Sequence, residues 1–283
     1  MKTIAVSGVG AMGAGIIQVL VLAGYNVLAH SLCQHDIDSG LAAISRGMDK
    51  MVEKEKLTAP EKDQAIKRIQ SSTELVLMKD VDLVIEAVTE DLALKKALFK
   101  EIEAHCHPKT ILATNTSSLS ISEIAAATKR PDKVIGIHFF NPAPLMELVE
   151  IVKGVDTSEE TCQAVFAFAE KIDKKPIVVE ESPGFVVNRI LVPMINEAVG
   201  LVAEGLAGPA DIDEAMKLGA KHPMGPLALG DLIGLDVCLA VMEIFHKEFG
   251  DDKYRPHPLL RKMVRAGKLG RKTGRGFFDY ARC

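Results

Sequence analysis

The opening thirty or so residues place the tightest constraint on what this chain can fold into. An apolar strand, Thr3 to Ser7, runs into Gly8-Val9-Gly10-Ala11-Met12-Gly13, which opens a helix ending near Ala23-Gly24 and leading to a second strand from Asn26 to Ala29. Each glycine has a mechanical role. Gly8 makes the tight turn, Gly10 lets a pyrophosphate approach the backbone, and Gly13 lets the helix pack closely on the strand. The N–H groups at the helix start attract the anion. A glycine turn alone says little, but strand, turn, helix and strand in this order form a βαβ unit that binds a dinucleotide. Gly8, Gly10, Ala11, Met12 and Gly13 are therefore the expected cofactor-binding residues. In such units the second strand ends in an acidic residue that takes the ribose hydroxyls of NAD. Ser31 stands there instead, in Leu28-Ala29-His30-Ser31. A small hydroxyl beside a histidine able to carry charge tolerates a 2′-phosphate better than a carboxylate does. However, no Arg follows in Leu32-Cys33-Gln34-His35 to clasp one. NAD is the expected cofactor, and NADP the open alternative.

To about Glu181, short β-branched runs continue to alternate with helical patterns, which implies a mainly parallel sheet with helices on its faces. The expected strands after the first two are Leu83 to Ala87, Thr110 to Thr114, Val134 to Phe139, Leu148 to Val152 and Ile177 to Val179. Thr58-Ala59-Pro60-Glu61 and Ser120-Ile121-Ser122-Glu123 fit the capping box that starts a helix. After Ser182-Pro183-Gly184 the strand pattern stops, and apolar segments with helical period follow, around Phe185 to Ala203 and Leu227 to Phe249. The fold class is α/β: a Rossmann-type, doubly wound, mainly parallel sheet followed by an all-helical C-terminal domain. The two domains are placed at 1–182 and 183–283, and a chain of 283 residues suits that number.

A net charge of -4 excludes general attraction to nucleic acid or an anionic membrane, so an anionic ligand must meet a local basic patch. The cysteines (Cys33, Cys106, Cys162, Cys238 and Cys283) are odd in number and scattered, with no Cys-x-x-Cys pair, and read as reduced thiols. No metal site is expected; Asp231 and Asp236 lack a third ligand and read as helix caps. The N-terminus opens directly into a strand and no window reaches a membrane span, so a cytoplasmic protein is expected. A mature organelle protein that has lost its presequence would look the same.

In doubly wound sheets, ligands bind beyond the carboxyl ends of the strands. Two segments meet that condition: Asn115-Thr116-Ser117-Ser118, and His138 followed by Phe139-Phe140-Asn141-Pro142. Composition alone makes a strand-end histidine more often structural than catalytic. Glu150 lies on a neighbouring strand among apolar residues, where an unpartnered carboxylate is costly. Ser117 could equally be a turn hydroxyl, and Asn188 a helix-start residue.

The set Gly8 to Gly15, Asn115-Thr116-Ser117-Ser118-Leu119, His138-Phe139-Phe140-Asn141-Pro142, Pro183 to Arg189 and His222-Pro223-Met224-Gly225-Pro226 spans nearly the whole chain. In this order it closely resembles the short-chain 3-hydroxyacyl-CoA dehydrogenases, the bacterial four-carbon enzymes of butyrate metabolism most of all. The resemblance implies hydride transfer between a nicotinamide cofactor and the pair 3-hydroxybutyryl-CoA and acetoacetyl-CoA. It makes His138 the acid/base, Glu150 the group that orients and charges its imidazole, and Ser117 and Asn188 the hydrogen-bond donors to the reacting oxygen. Ser31 is expected at the cofactor from its place at the end of the second strand, and the resemblance further implies cofactor contacts at Glu90, Lys95 and Asn115, substrate contacts at Asn141, Lys50 and Lys54, and a homodimer through the helical domain. Arg46, Lys50 and Lys54 fall four apart on one helix face, which by itself is equally a solvated face. Longer acyl chains, free hydroxy or sugar acids, and a cofactor-binding relative that has lost catalysis are the other readings. The last is disfavoured because His138, Glu150, Ser117 and Asn188 are all present.

Overall fold

The computed structural model describes residues 1–280, so Cys283 lies outside the described residues. The chain divides into two compact units, Met1–Glu181 and Ser182–Cys283. In the first, eight strands form one sheet in the order β3-β2-β1-β4-β5-β6-β7-β8. The strands are β1 (Thr3–Ser7), β2 (Asn26–His30), β3 (Ile69–Ser72), β4 (Leu83–Glu86), β5 (Ile111–Thr114), β6 (Val134–Phe139), β7 (Leu148–Lys153) and β8 (Lys175–Glu180). All pairs are parallel except β6 with β7, which are antiparallel. Order and direction are those of a Rossmann-type doubly wound sheet with two further strands added beyond β6.

The central strands read as unbroken apolar runs because helices cover both faces. Ile4, Ala5, Val6, Leu83 and Ile85 are fully buried. Each of the Ile, Val and Leu side chains among them contributes about 1.5–3 kcal/mol by leaving water. β3 escapes the sequence pattern because it is an edge strand, Ile-Gln-Ser-Ser, with no buried residue to mark it. The helices of this unit are α1 (Ala11–Leu22), α2 (Gln34–Glu53), α3 (Ala59–Ile66), α4 (Leu92–His105), α5 (Ile121–Ala125) and α6 (Glu159–Lys171). Thr58 forms the full capping box with Glu61. Ser120 forms only half of one: its hydroxyl accepts from Glu123 N at 3.0 Å, while the Glu123 carboxylate pairs with Lys96.

The second unit is helical: α7 (Val187–Ala203), α8 (Pro209–Gly219), α9 (Pro226–Ile233), α10 (Leu235–Phe249) and α11 (Pro258–Arg265) pack around Ile195, Leu227, Leu235, Met242 and Phe245. The apolar stretch Leu227 to Phe249 is two helices, not one, because Gly234 turns the chain at φ 107°. Asp213 accepts from Leu227 N and Ala228 N, both at 2.8 Å, and so caps α9 from the neighbouring helix. A Cβ at Gly225 would fall 2.2 Å from the Asp213 side chain, which explains the glycine in His222-Pro223-Met224-Gly225-Pro226.

Asp231 and Asp236 correct the capping expectation. Asp231 accepts from Phe277 N and Phe278 N at 3.0 Å and from the Tyr280 hydroxyl at 3.2 Å, and Asp236 bonds Lys272 Nζ at 2.6 Å. These bonds pin the Lys272–Phe278 segment onto α9 and α10.

Candidate active site

At the β1–α1 turn, Gly8 sits at φ 99° with its would-be Cβ 2.6 Å from Ala87 O, and a Cβ at Gly13 would strike Gly8 O at 1.8 Å. No L side chain fits either position. Around Gly10, by contrast, nothing lies within 4 Å of the Cβ position. Gly10 is the N-cap of α1 and offers no side-chain cap, so the first N–H groups of this helix have no side-chain acceptor there. Ala11 is exposed, and Met12 packs its side chain on the core. Open space, uncapped N–H groups and a helix N-terminus fit a pyrophosphate.

The β2 end differs from the sequence expectation. His30 is 1% exposed, its Nδ1 is 2.9 Å from Ser7 Oγ, and burial lowers its pKa, so it is neutral near pH 7 rather than a cation for a phosphate. Ser31 Oγ donates to Asp36 Oδ2 at 3.3 Å.

At the same carboxyl edge, β5 and β6 pair with Thr114 opposite Gly136, and Asn115 Oδ1 accepts from Phe139 N at 2.9 Å. This brings the 115–118 loop beside His138. Asn115 thus clamps two strand ends. Glu90 organises the loop from the other side: its Oε1 accepts from Thr116 Oγ1, Ser117 N (2.9 Å), Ser117 Oγ and Ser118 Oγ (both 3.3 Å). Burial alone would raise the Glu90 pKa, but the Lys95 ammonium and the bonds from Thr116 and Ser117 outweigh it and hold the carboxyl below its ordinary value.

Lys95 was expected at the cofactor; its side chain is instead covered, 1% exposed, with Nζ 2.6 Å from Glu86 Oε1 and 3.4 Å from Glu90 Oε2. Its charge reaches the crevice through Glu90. Glu86, which receives Lys95, Thr114 Oγ1 and Val88 N, was missed by sequence reading because a carboxylate inside an apolar strand carries no motif.

β6 and β7 meet with His138 directly opposite Glu150. His138 Nδ1 lies 2.7 Å from Glu150 Oε2, with side chains 7% and 0% exposed, and the Phe140 ring leans on the imidazole at 4.5 Å between centroids. A buried carboxylate at Nδ1 fixes the tautomer and ring orientation, so that proton exchange falls to Nε2. Asn188 lies in the other unit, at the second residue of α7.

A groove of about 750 Å³ opens between α1, α2 and the 141–145 segment. Gly10 and Ala11 line it at one end, Asn141 at its side, and Lys50 and Lys54 along α2. Arg46, on the same stripe, is not among its lining residues, whereas Lys56 is, carried there by the turn after α2 rather than by helical spacing. The floor carries Gln18, 6% exposed, whose Nε2 meets Met51 Sδ at 3.4 Å.

The chain has extensive similarity to known proteins. Residues 3–182 match the family model described as 3-hydroxyacyl-CoA dehydrogenase, NAD binding domain, and residues 184–280 that of the 3-hydroxyacyl-CoA dehydrogenase, C-terminal domain. The chain is 56% identical over 277 residues to the 3-hydroxybutyryl-CoA dehydrogenase of Clostridioides difficile, covering 98% of this chain and 99% of that one. It is 48% identical over 280 residues to the enzyme of that name from Bradyrhizobium diazoefficiens, covering 99% and 96%. The crystal structure of (S)-3-hydroxybutyryl-CoA dehydrogenase from Ralstonia eutropha superposes with a TM-score of 0.96 at 50% identity, covering 99% of both chains. A glycine turn shaped for pyrophosphate, a carboxylate-held histidine at the same sheet edge, and full-length similarity place this chain in the 3-hydroxyacyl-CoA dehydrogenase family.

Proposed function

We propose that the chain interconverts (S)-3-hydroxybutyryl-CoA and acetoacetyl-CoA, with NAD(H) as the hydride carrier. The observation that carries the reading is the buried His138–Glu150 pair, 2.7 Å apart, at the sheet edge that also bears the Gly8–Gly13 turn. A nicotinamide cofactor held by the Gly8–Gly13 turn would supply the hydride chemistry at C3 of the acyl group. His138 Nε2 takes the 3-hydroxyl proton in oxidation and delivers a proton to the developing alkoxide in reduction. Glu150 holds Nδ1–H and balances the imidazolium. Ser117 Oγ, aligned by Glu90, hydrogen-bonds the same oxygen, and Asn188 supplies the second bond; both count most as negative charge builds. Glu90, Lys95, Asn115 and Ser31 shape the cofactor side, Lys95 by holding Glu90. Lys50, Lys54 and Lys56 meet the phosphates of coenzyme A along the groove, and Asn141 faces the acyl portion.

The four-carbon assignment rests on the names of the relatives at 56% and 48% identity. The lysine-lined groove favours a coenzyme A thioester over a free hydroxy acid, which has no distant phosphates to engage. We further propose a homodimer formed through the helical unit and a reducing, cytoplasmic setting. No helix among the described residues is long and apolar enough to cross a membrane. Cys33, Cys106, Cys162 and Cys238 are free, and burial pushes the Cys106 and Cys238 thiols up to about 11 and about 12.

The test is initial-rate reduction of acetoacetyl-CoA, of longer 3-ketoacyl-CoAs and of free 3-keto acids, with NADH and with NADPH. The proposal expects acetoacetyl-CoA to have the highest kcat/KM. Equal or better turnover of free acids would overturn it, as would retained turnover in His138→Gln.

A further inference from the structure

We propose that Asp36, on the first turn of α2, supplies the carboxylate that the end of β2 lacks, and that it makes this chain select NAD(H) over NADP(H). It does so by accepting hydrogen bonds from the adenosine ribose hydroxyls and repelling a 2′-phosphate. The inference rests on the Gly8–Gly13 turn holding a nicotinamide dinucleotide.

Ser31 occupies the position where such strands carry an acidic residue, and its Oγ is the same γ atom that would be the carboxyl carbon of an aspartate. Asp36 Oδ2 lies 3.3 Å from that Oγ, within one hydrogen bond of the position a strand-end carboxylate would hold. The approach is built by the backbone. α2 begins at Gln34, Asp36 N donates to Cys33 O at 3.2 Å, Cys33 N donates to Ser31 Oγ at 3.3 Å, and the helix's first turn thereby folds residue 36 back over residue 31. An ionised carboxylate offers about four acceptor positions, so the Ser31 bond leaves capacity for two ribose hydroxyls. Asp36 is exposed and available to a ligand.

The surrounding charge points the same way. His30 faces inward to Ser7 and is neutral, so it offers no countercharge to a phosphate. From Leu32 to Asp38 there is no Lys or Arg, and His35 is the one titratable cation. On the neighbouring strand, His30 pairs with Ser72, which sets Thr73 and Glu74, another acidic residue, beside the same strand end. The N-terminus of α2 contributes roughly half a positive charge, which by itself would favour a phosphate. Asp36, in the first turn, carries a full negative charge and outweighs it. A 2′-phosphate would bring about 1.5–2 further negative charges against this carboxylate.

The residue that selects the cofactor is displaced by five positions and reaches its place through the helix.

The experiment uses the full-length protein, Asp36→Asn, and the double variant Asp36→Asn with Ser31→Asp. The Kd of NADH and of NADPH is read from nicotinamide fluorescence, and kcat/KM of each from acetoacetyl-CoA reduction. The parent is expected to favour NADH in both measures. Asp36→Asn narrows the NADH/NADPH ratio by about tenfold or more, the loss expected for one charged hydrogen bond, and Ser31→Asp restores it. A parent that binds both cofactors equally or prefers NADPH, or a ratio in Asp36→Asn within about twofold of the parent's, would overturn the inference. Because Kd is measured without turnover, a parent that binds NADH selectively but fails to reduce acetoacetyl-CoA would sink the substrate assignment alone. One that binds neither cofactor would sink both.

Discussion

Glu150→Gln is the sharpest probe of the proposed chemistry. The substitution keeps the volume and leaves the β6–β7 ladder intact, so it removes charge and acceptor character where Glu150 Oε2 meets His138 Nδ1 at 2.7 Å. Both side chains are buried, so water does not replace the lost bond. A charge-assisted hydrogen bond of this kind is worth about 1.5–3 kcal/mol, or roughly 10- to 150-fold in rate at 1.36 kcal/mol per decade. A glutamine can also present its NH2 to Nδ1, which reverses the imidazole tautomer and places the hydrogen on Nε2, the nitrogen that must accept the substrate proton. In serine proteases the analogous Asp→Asn change costs about 10⁴-fold. The expected fall in kcat for 3-hydroxybutyryl-CoA oxidation is therefore about 10²- to 10⁴-fold, with NADH affinity changed by less than about threefold. Stopped-flow or steady-state absorbance at the nicotinamide band reads kcat, fluorescence titration reads cofactor affinity, and circular dichroism checks the fold. A kcat within about threefold of the parent would refute the role of Glu150. Parallel loss of cofactor binding would show that the pair serves the fold rather than the proton.

Three further outcomes follow from the same structure. Lys95→Met leaves Glu86 buried without its ammonium and should destabilise the chain by about 3–5 kcal/mol in urea unfolding; a loss under about 1 kcal/mol would contradict the pairing. Gly13→Ala places a Cβ 1.8 Å from Gly8 O, so it should cost about 1–3 kcal/mol or more and weaken dinucleotide binding, both measurable by thermal shift with and without NADH. Because burial lowers the His30 pKa, the unfolded chain binds a proton more readily than the folded one once pH falls below about 6.5. Stability from this residue is thus full above that value and is lost as pH falls toward the lowered folded pKa. His30→Gln should flatten that acid limb in urea titrations between about pH 7.5 and 5.5; an unchanged slope would exclude His30 as its source.

The roles of His138, Glu150 and Ser117 came only through the family resemblance, whereas the sequence by itself determined the βαβ start, the glycine turn and the position of most of the strands. Those features are local: a buried parallel strand needs a continuous apolar run, and a pyrophosphate turn needs glycine at fixed offsets, so both write themselves into neighbouring residues. β3 left no such mark because an edge strand buries too little to demand apolar residues.

Contacts between residues far apart in the chain were decided only by the tertiary structure. The direct facing of His138 and Glu150 depends on the antiparallel register of β6 and β7, which spacing could not distinguish from mere adjacency. The burial of Lys95 against Glu86 and the inward turn of His30 onto Ser7 are likewise products of packing. Asp231, which resembles a helix cap when read along the chain, holds a tail that lies 46 and 47 residues beyond it. In each case the charge or donor is visible in the sequence, while its partner is chosen by the fold, because burial forces a polar group to find whichever complementary group the packing brings within reach.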